Sequence, residues 1–180
     1  MMINIPKIHI LKGILLICFS IFVSACSPIL IQSDPAAYPI DPKEVPEYKG
    51  KPSVAVTNSY EKPQVITMFS GGRGLEADLQ QYTKTTVDIL SRELGNQSIT
   101  VNASGDKTVA LRVYDVVYEP GMWVLHTTLK LEADLGNGQK VETVGDNRSP
   151  GNAWRSVNGA LKRAVVELMK NPTFVDYIDN

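Results

Sequence analysis

Residues 109–138 decide the fold and read VALRVYDVVYEPGMWVLHTTLKLEADLGNG. On both sides of Glu119-Pro120-Gly121, hydrophobic residues alternate with polar ones, and this period of two predicts strands with one buried face. A loop made of those three residues gives an antiparallel hairpin with a defined register. The predicted partners are Val117 with Trp123, Leu111 with Leu129, and Val109 with Leu131. The apolar side chains of both strands then share one face.

The chain after this hairpin is predicted to add another strand to the sheet. Gly136-Asn137-Gly138 predicts a three-residue loop, which sets Ala133 against Val141 and Leu131 against Thr143. The same register places Glu132 opposite Glu142. That pair is unfavourable, because like charges directly across two strands repel each other.

Two shorter strands and two helices complete the expected elements. The β-branched runs 53–57 and 64–69 are bounded by turn-forming residues and predict strands. Apolar residues recur at helical spacing in two places. They are Leu75, Leu79, Tyr82, Val87, Leu90 and Leu94 before Gly95, and Trp154, Val157, Leu161, Ala164, Val165 and Leu168 after the N-cap candidate Asn152. Pro172 is expected to begin a last helical turn through Phe174, Tyr177 and Ile178.

Together these elements predict a single α+β domain over residues 53–180. A sheet with one apolar face and two amphipathic helices forms a two-layer sandwich, with both helices on one face. We expect a mainly antiparallel sheet of about five to six strands, whose other face is open to water.

Residues 1–25 have the layout of a secretory signal peptide. Lys7 and Lys12 precede the apolar run 13–23, which ends at small residues. The run is shorter than the roughly 20 apolar residues that a membrane-spanning helix needs. Its end, Val23-Ser24-Ala25-Cys26, resembles the lipobox of bacterial lipoproteins. That resemblance implies cleavage before Cys26 and acylation of this residue, and several acyl chains together anchor stably.

Residues 26–52 are predicted to form a lipidated, proline-rich tether. They hold six of the eleven prolines and few residues able to build a core. Such a segment extends by about 3.1 Å per residue, so it would reach roughly 80 Å. Ser27, not Asp, follows the cysteine. In the lipoproteins that the chain resembles, this implies the outer membrane, with the domain facing the periplasm of a two-membrane bacterium.

The composition argues against nucleic-acid binding and against the common hydrolytic and metal sites. Without the signal peptide, 16 basic residues face 19 acidic ones, a formal net charge of −3, which is no footprint for nucleic acid. Cys18 and Cys26 are the only cysteines, and His126 is the only histidine after the signal peptide. A zinc site usually needs three or four ligands, mostly nitrogen or sulfur. We therefore predict no catalytic residue, no metal, no cofactor and no enzymatic activity.

The candidate contact surface is an apolar patch near the end of the first hairpin. The predicted register places it on the face of the sheet that points away from the helices. Its residues are Tyr114, Val116, Tyr118, Met122, Val124 and His126. A contiguous apolar patch on an open sheet indicates contact with a subunit, a lipid or another strand. A cover formed by the tether or by the C-terminal tail is an equally good interpretation.

A glycine-rich segment and one misplaced carboxylate are two further features of the sequence. Gly72-Arg73-Gly74 precedes a predicted helix and offers backbone N–H groups and a guanidinium to an anion, although short glycine-rich connections are common. Asp115 falls on the apolar face of the predicted hairpin, where an unpaired carboxylate is costly. Either a bulge turns Asp115 outward or it meets a partner, with Arg112 and Arg155 as candidates.

The lipobox, the proline-rich segment, the order of elements and the closing residues 171–178 together resemble the YajG-like lipoproteins of the outer membrane, a family without an assigned activity. The layout is also similar to the auxiliary lipoproteins of envelope lipid-transport systems. Neither resemblance carries over a catalytic residue. They imply a lipid-anchored, non-enzymatic binding or assembly module with a protein partner or a second copy of itself. The alternative is a carrier of lipid or another small ligand, using a groove between sheet and helices or the side chains of Tyr114 and Tyr118.

Overall fold

The computed structural model describes residues 27–37 and 39–180. The predicted signal peptide, residues 1–25, and the predicted lipidation site Cys26 lie outside the described residues. In chain order the strands are β1 (Ile29–Leu30), β2 (Ser53–Asn58), β3 (Val65–Phe69), β4 (Leu75–Asp78), β5 (Thr100–Val101), β6 (Lys107–Pro120), β7 (Leu125–Leu135) and β8 (Lys140–Ser149). The helices are α1 (Leu79–Asn96), α2 (Ala153–Lys170) and α3 (Pro172–Asp179), with a 3-10 turn at Pro42–Glu44.

The main sheet has five strands in the order β5-β2-β6-β7-β8. The long strands β6, β7 and β8 form an antiparallel meander, whereas β2 lies parallel to both β5 and β6. Helices α1 and α2 pack on one face of this sheet, and side chains such as Leu111, Leu131 and Leu161 are fully buried between the two layers. The predicted α+β fold is confirmed.

A second, three-stranded sheet in the order β1-β4-β3 was not predicted. β3 and β4 are antiparallel neighbours, and the two residues of β1 add parallel to β4. Leu75, expected in the first helix, lies in β4 instead. Helix α1 begins only after Asp78, whose side chain accepts a hydrogen bond from the Gln80 backbone N–H and so satisfies a free donor of the first turn.

The other two helices begin where the sequence predicts. The Asn152 side chain accepts a hydrogen bond from the Arg155 backbone N–H at 2.9 Å and caps α2. Pro172 stands at the start of α3, where a missing N–H costs nothing. Phe174 and Ile178 of α3 are fully buried, so this short helix closes one end of the core.

Helix α2 approaches β8 closely at a glycine. A Cβ on Gly145 would overlap the Ala160 carbonyl oxygen and lie 2.8 Å from the Ala164 backbone nitrogen. Ala160 and Ala164 are themselves buried and small. Strand and helix backbones are therefore in direct contact here, which only glycine permits.

The described residues of the proline-rich segment, 27–37 and 39–52, do not form the extended spacer that the proline content suggests, because they pack along the domain. The Asp34 backbone N–H donates to Asn158 Oδ1 of α2 at 2.8 Å, and Arg92 of α1 donates to the Pro35 carbonyl at 2.7 Å. Tyr48 is only 1% exposed, and its hydroxyl donates to the Met169 carbonyl at 2.9 Å. The segment thus completes the hydrophobic core.

Substitution of Gly145 by Ala tests the contact between α2 and β8. Because the strand or the helix must move, we expect Gly145→Ala to lower the free energy of unfolding by about 1–3 kcal/mol, measured by urea denaturation. The matched control is Gly95→Ala in the exposed last turn of α1, where nothing lies within 4 Å of the added methyl group. For Gly95→Ala we expect no loss of unfolding free energy, and a gain of up to about 1 kcal/mol. Equal effects of the two substitutions would contradict the close approach.

Truncation of Tyr48 tests whether the proline-rich segment belongs to the core. We expect Tyr48→Ala to cost about 3–5 kcal/mol of unfolding free energy, the range for a buried aromatic side chain. Its exposed neighbour Glu47 provides the control, since Glu47→Ala removes no buried surface. If Tyr48→Ala is as harmless as Glu47→Ala in the same urea titration, then the segment is a free tether.

Candidate functional site: the outer sheet face and the β6–β7 hairpin tip

The predicted register of the β6–β7 hairpin is wrong. Leu111 pairs with Ala133 and Val113 with Leu131, after which a β-bulge lies between Val113 and Asp115. Beyond the bulge, Val117 pairs with Thr128, not with Trp123. The connecting loop has four residues, 121–124, closed by a 3.1 Å hydrogen bond from the Gly121 N–H to the Val124 carbonyl. Loop length and bulge together shift the pairing by several residues.

The bulge explains how Asp115 avoids the apolar face of the sheet. It inserts one extra residue into β6, so the inward and outward alternation changes phase at this point. Asp115 consequently points outward, where its carboxylate lies 3.0 Å from Lys130 Nζ. Neither Arg112 nor Arg155 is its partner. The hydrogen bond with Asp115 raises the pKa of Lys130 above its ordinary value.

The same change of phase divides the predicted apolar patch. Val116 and Tyr118 are only 3% and 8% exposed and belong to the core, which corrects their predicted position on the open face. The Tyr118 ring meets the Phe69 ring edge to face, with centroids 6.0 Å apart. Tyr114 and His126 are half-buried on the open face, whereas Met122 and Val124 are exposed in the hairpin loop. These six residues therefore do not form one patch.

The open face of β6, β7 and β8, which we call the outer face, consists mainly of paired charges. Glu132 is its most buried member at 5% exposure, and its carboxylate lies 2.7 Å from Arg112 and 3.1 Å from Lys140. Lys140 also pairs with Asp134 at 3.1 Å. Such cross-strand pairs of opposite charge stabilise a sheet. The outer face is thus a charged, hydrated surface.

The pairing of Glu132 with Glu142, which the sequence predicted, is confirmed. Its repulsion is relieved by neighbouring groups, because Arg112 and Lys140 bind Glu132 while the Tyr114 hydroxyl donates to Glu142 at 3.3 Å. The Arg112 guanidinium also lies 5.9 Å from the centre of the Tyr114 ring, within range of a cation–π contact. Glu132 and Glu142 thus each have a neighbour of opposite charge or a hydrogen-bond donor.

His126 lies between two carboxylates at the hairpin end of the outer face. Nε2 is 2.6 Å from Asp146 and Nδ1 is 2.9 Å from Glu119. Both ring nitrogens can donate only when the imidazole is protonated. The hydrogen bonds to Asp146 and to Glu119 accordingly raise the pKa of His126 above its ordinary value. Neither carboxylate was predicted as a partner, although both alternate outward on their strands.

The Gly72-Arg73-Gly74 segment forms the tight turn between β3 and β4. Gly72 and Gly74 have φ of 60° and 71°, values that favour glycine, and Arg73 is exposed. The turn leads into a strand instead of a helix, so no helix N-terminus stands behind it. Its glycines are explained by backbone conformation alone.

In the described part of the chain, buried side chains occupy the space between the sheet and the helices where the groove was predicted. Fully buried side chains fill this layer, including Tyr82, Leu90, Leu129 and Leu168. A surface depression of about 570 Å³ is bordered by Lys49 and by polar residues of the C-terminal helix such as Asp176 and Asp179. Within the described ranges, no cluster of three or more His, Cys, Asp or Glu side chains is arranged to hold a metal ion.

No helix in the described part of the chain is both long and apolar enough to cross a membrane.

Comparison with known proteins does not assign the chain to a family. No family model and no curated protein matches it. Among solved structures, a DUF330 family protein from Xanthomonas campestris is 14% identical with a TM-score of 0.43, covering 85% of this chain and 94% of its own. A minor lipoprotein from Acinetobacter baumannii is 10% identical with a TM-score of 0.32, covering 72% and 91%. A homologue of the neuraminyllactose-binding hemagglutinin from Helicobacter pylori is 12% identical with a TM-score of 0.37, covering 79% and 96%. Similarity at this level assigns neither a function nor a partner.

The titration of His126 tests the geometry of the outer face. We expect its pKa, followed by NMR of the imidazole protons, to lie above the ordinary value of about 6.5, and to fall towards that value in Asp146→Asn. The contribution of the Asp146 contact to stability is complete below the unfolded-state pKa and is lost as the pH rises through the raised folded-state pKa. The stability difference between wild type and Asp146→Asn should therefore shrink at alkaline pH. An unchanged pKa in Asp146→Asn would refute the contact.

Proposed function

We propose that this protein is a bacterial envelope lipoprotein, anchored in the outer membrane through lipid on Cys26, with its domain in the periplasm. The domain serves as a non-enzymatic binding or assembly module for a protein partner or a second copy of itself. The lipobox residues 23–26 and the Ser27 that follows support the address. The uncovered and charged outer face supports the binding role.

The single observation that carries the binding role is the uncovered outer face. Three strands of ten or more residues present it, and no element of the described chain lies over it. On this face each of three basic residues pairs with a carboxylate of the adjacent strand. The pairs are Arg112 with Glu132, Lys130 with Asp115, and Lys140 with Asp134. Alternating charge of this kind favours a partner with complementary charges, since electrostatic matching determines specificity and association rate more than raw affinity.

Two exposed valines give the outer face limited apolar contact area. Val144 is 50% exposed in β8 and Val117 is 42% exposed in β6. An interface usually has a less polar centre within a polar rim, and these valines lie among the paired charges. This arrangement favours a protein surface over a lipid or an apolar small ligand. The carrier alternative is weakened further because the sheet–helix layer is filled.

Replacement of Cys26 by Ala tests the anchor. We expect wild-type protein in the membrane fraction and Cys26→Ala in the soluble periplasmic fraction, because one substitution removes every acyl chain. The Cys18→Ala variant is the matched control and should remain membrane-bound. A membrane-bound Cys26→Ala protein would refute the lipid anchor.

Site-specific photo-crosslinking in cells tests the binding surface. A photoreactive residue at Val144 should yield a discrete protein adduct, since this side chain lies within the outer face. The control position is Lys84 on the far side of α1, whose side chain is 70% exposed. Adducts at both positions, or at neither, would contradict a specific interface on the outer face.

A further inference from the structure

The described chain begins against the second sheet, which fixes where a lipid on Cys26 must lie. The Ile29 N–H donates to the Gly74 carbonyl at 3.1 Å, and the Ile31 N–H donates to the Glu76 backbone carbonyl at 2.9 Å. Only Ser27 and Pro28 separate Cys26 from β1. Three residues span at most about 10 Å. A lipid on Cys26 therefore holds the bilayer next to β1.

The tip of the β6–β7 hairpin lies at this same end of the molecule. A Cβ on Gly74 would touch Pro28 at 3.7 Å and the Phe69 carbonyl at 3.6 Å. The Phe69 ring in turn contacts Tyr118, which stands two residues from the end of β6. The loop 121–124 follows directly, and Trp123 in it is 82% exposed.

The connection from β8 to α2 reaches this end as well. Ser149, the last residue of β8, pairs with Leu125, the first of β7. Trp154 then lies in the first turn of α2 and is 37% exposed. Both tryptophans of the chain therefore stand at the end where the described chain starts.

We name this region the anchored end and define it as residues 27–30, the turn 70–74, the hairpin tip 121–124 and residues 149–155. Of the nine large hydrophobic side chains exposed among the described residues, six belong to it. They are Ile29, Leu30, Met122, Trp123, Val124 and Trp154. Exposed hydrophobic residues are thus concentrated where the lipid attaches.

Charged groups at the anchored end suit the headgroup region of a bilayer. Arg73 and Arg155 are exposed there and can meet lipid phosphates. The nearby carboxylates of Glu119 and Asp146 are both held by His126. Tryptophan is the side chain typical of the membrane interface, because its ring is amphipathic.

We propose that the anchored end rests in the lipid headgroup region, with the Trp123 side chain inserted among the lipids as its main contact. This inference rests on the proposed lipidation of Cys26. A lipid anchor makes the bilayer a permanent neighbour, so its effective concentration at Trp123 is higher than that of any diffusing partner. The membrane is therefore the occupant that the geometry favours, and the outer face remains free for a protein.

Quenching of tryptophan fluorescence by brominated lipids tests this proposal. Full-length protein is purified from membranes with its lipid and reconstituted in phosphatidylethanolamine and phosphatidylglycerol vesicles that contain lipids brominated near the glycerol. Trp154→Phe leaves Trp123 as the reporter. The control combines Trp123→Phe, Trp154→Phe and Asn137→Trp, which moves the reporter to the β7–β8 loop at the opposite end of β7. Vesicle flotation is measured on the same samples.

We expect both proteins to float with the vesicles and Trp123 to lose about half of its fluorescence or more, as befits a ring at the interface, with little loss at position 137. Flotation without quenching of Trp123 would overturn the membrane contact while leaving the anchor intact. The same holds if Trp123 is unquenched by bromine yet protected from acrylamide, because a second copy of the protein then covers it. Protein that does not float would refute the anchor, and the inference with it.

Discussion

The pairing of β6 with β7, interrupted by the bulge between Val113 and Asp115, is the constraint on which the rest of the structure depends. Leu111 and Val113 are the buried residues before the bulge, and Val116 and Tyr118 are the buried residues beyond it. Without the extra residue, Asp115 would enter the core and Tyr118 would face water. One inserted residue therefore keeps both halves of a fourteen-residue strand buried on the same side.

That bulge also connects the two sheets. Because Tyr118 faces inward, its ring meets Phe69, and β3 packs beside the far half of β6. The small sheet in turn receives β1 along β4, and the Tyr82 hydroxyl donates to the Ile31 carbonyl at 2.8 Å. The described residues 27–37 and 39–52 are thereby held on the domain. If Cys26 is lipidated as we propose, β6, β7 and β8 have one end at the membrane, and the outer face extends from there into the periplasm.

Features with a local cause were predictable from the sequence, and those that depend on distant contacts were not. Alternation, helical spacing, the Asn152 cap and the loop 136–138 led to the correct α+β fold and to the facing pair Glu132 and Glu142. A bulge at Asp115 was one of the two explanations that the sequence offered, but the altered pairing beyond it and the partner Lys130 were not predicted, since a bulge leaves no periodic signal. Strands β1 and β4 are too short for a period. The proline content suggested a spacer. The large hydrophobic residues Ile40 and Tyr48 within that segment indicate packing instead, and both are buried in the structure. Of the candidate patch, Tyr114 and His126 are on the predicted face, whereas Val116 and Tyr118 are not.

With Cys26 lipidated as we propose, the domain sits directly on the membrane instead of at the end of a long tether. Neutron reflectometry of the lipidated protein on a supported bilayer measures this distance directly. We expect a protein layer that begins at the lipid headgroups, with no solvent layer between. A water-filled gap of tens of ångströms, approaching the roughly 80 Å reach of an extended proline-rich segment, would contradict it.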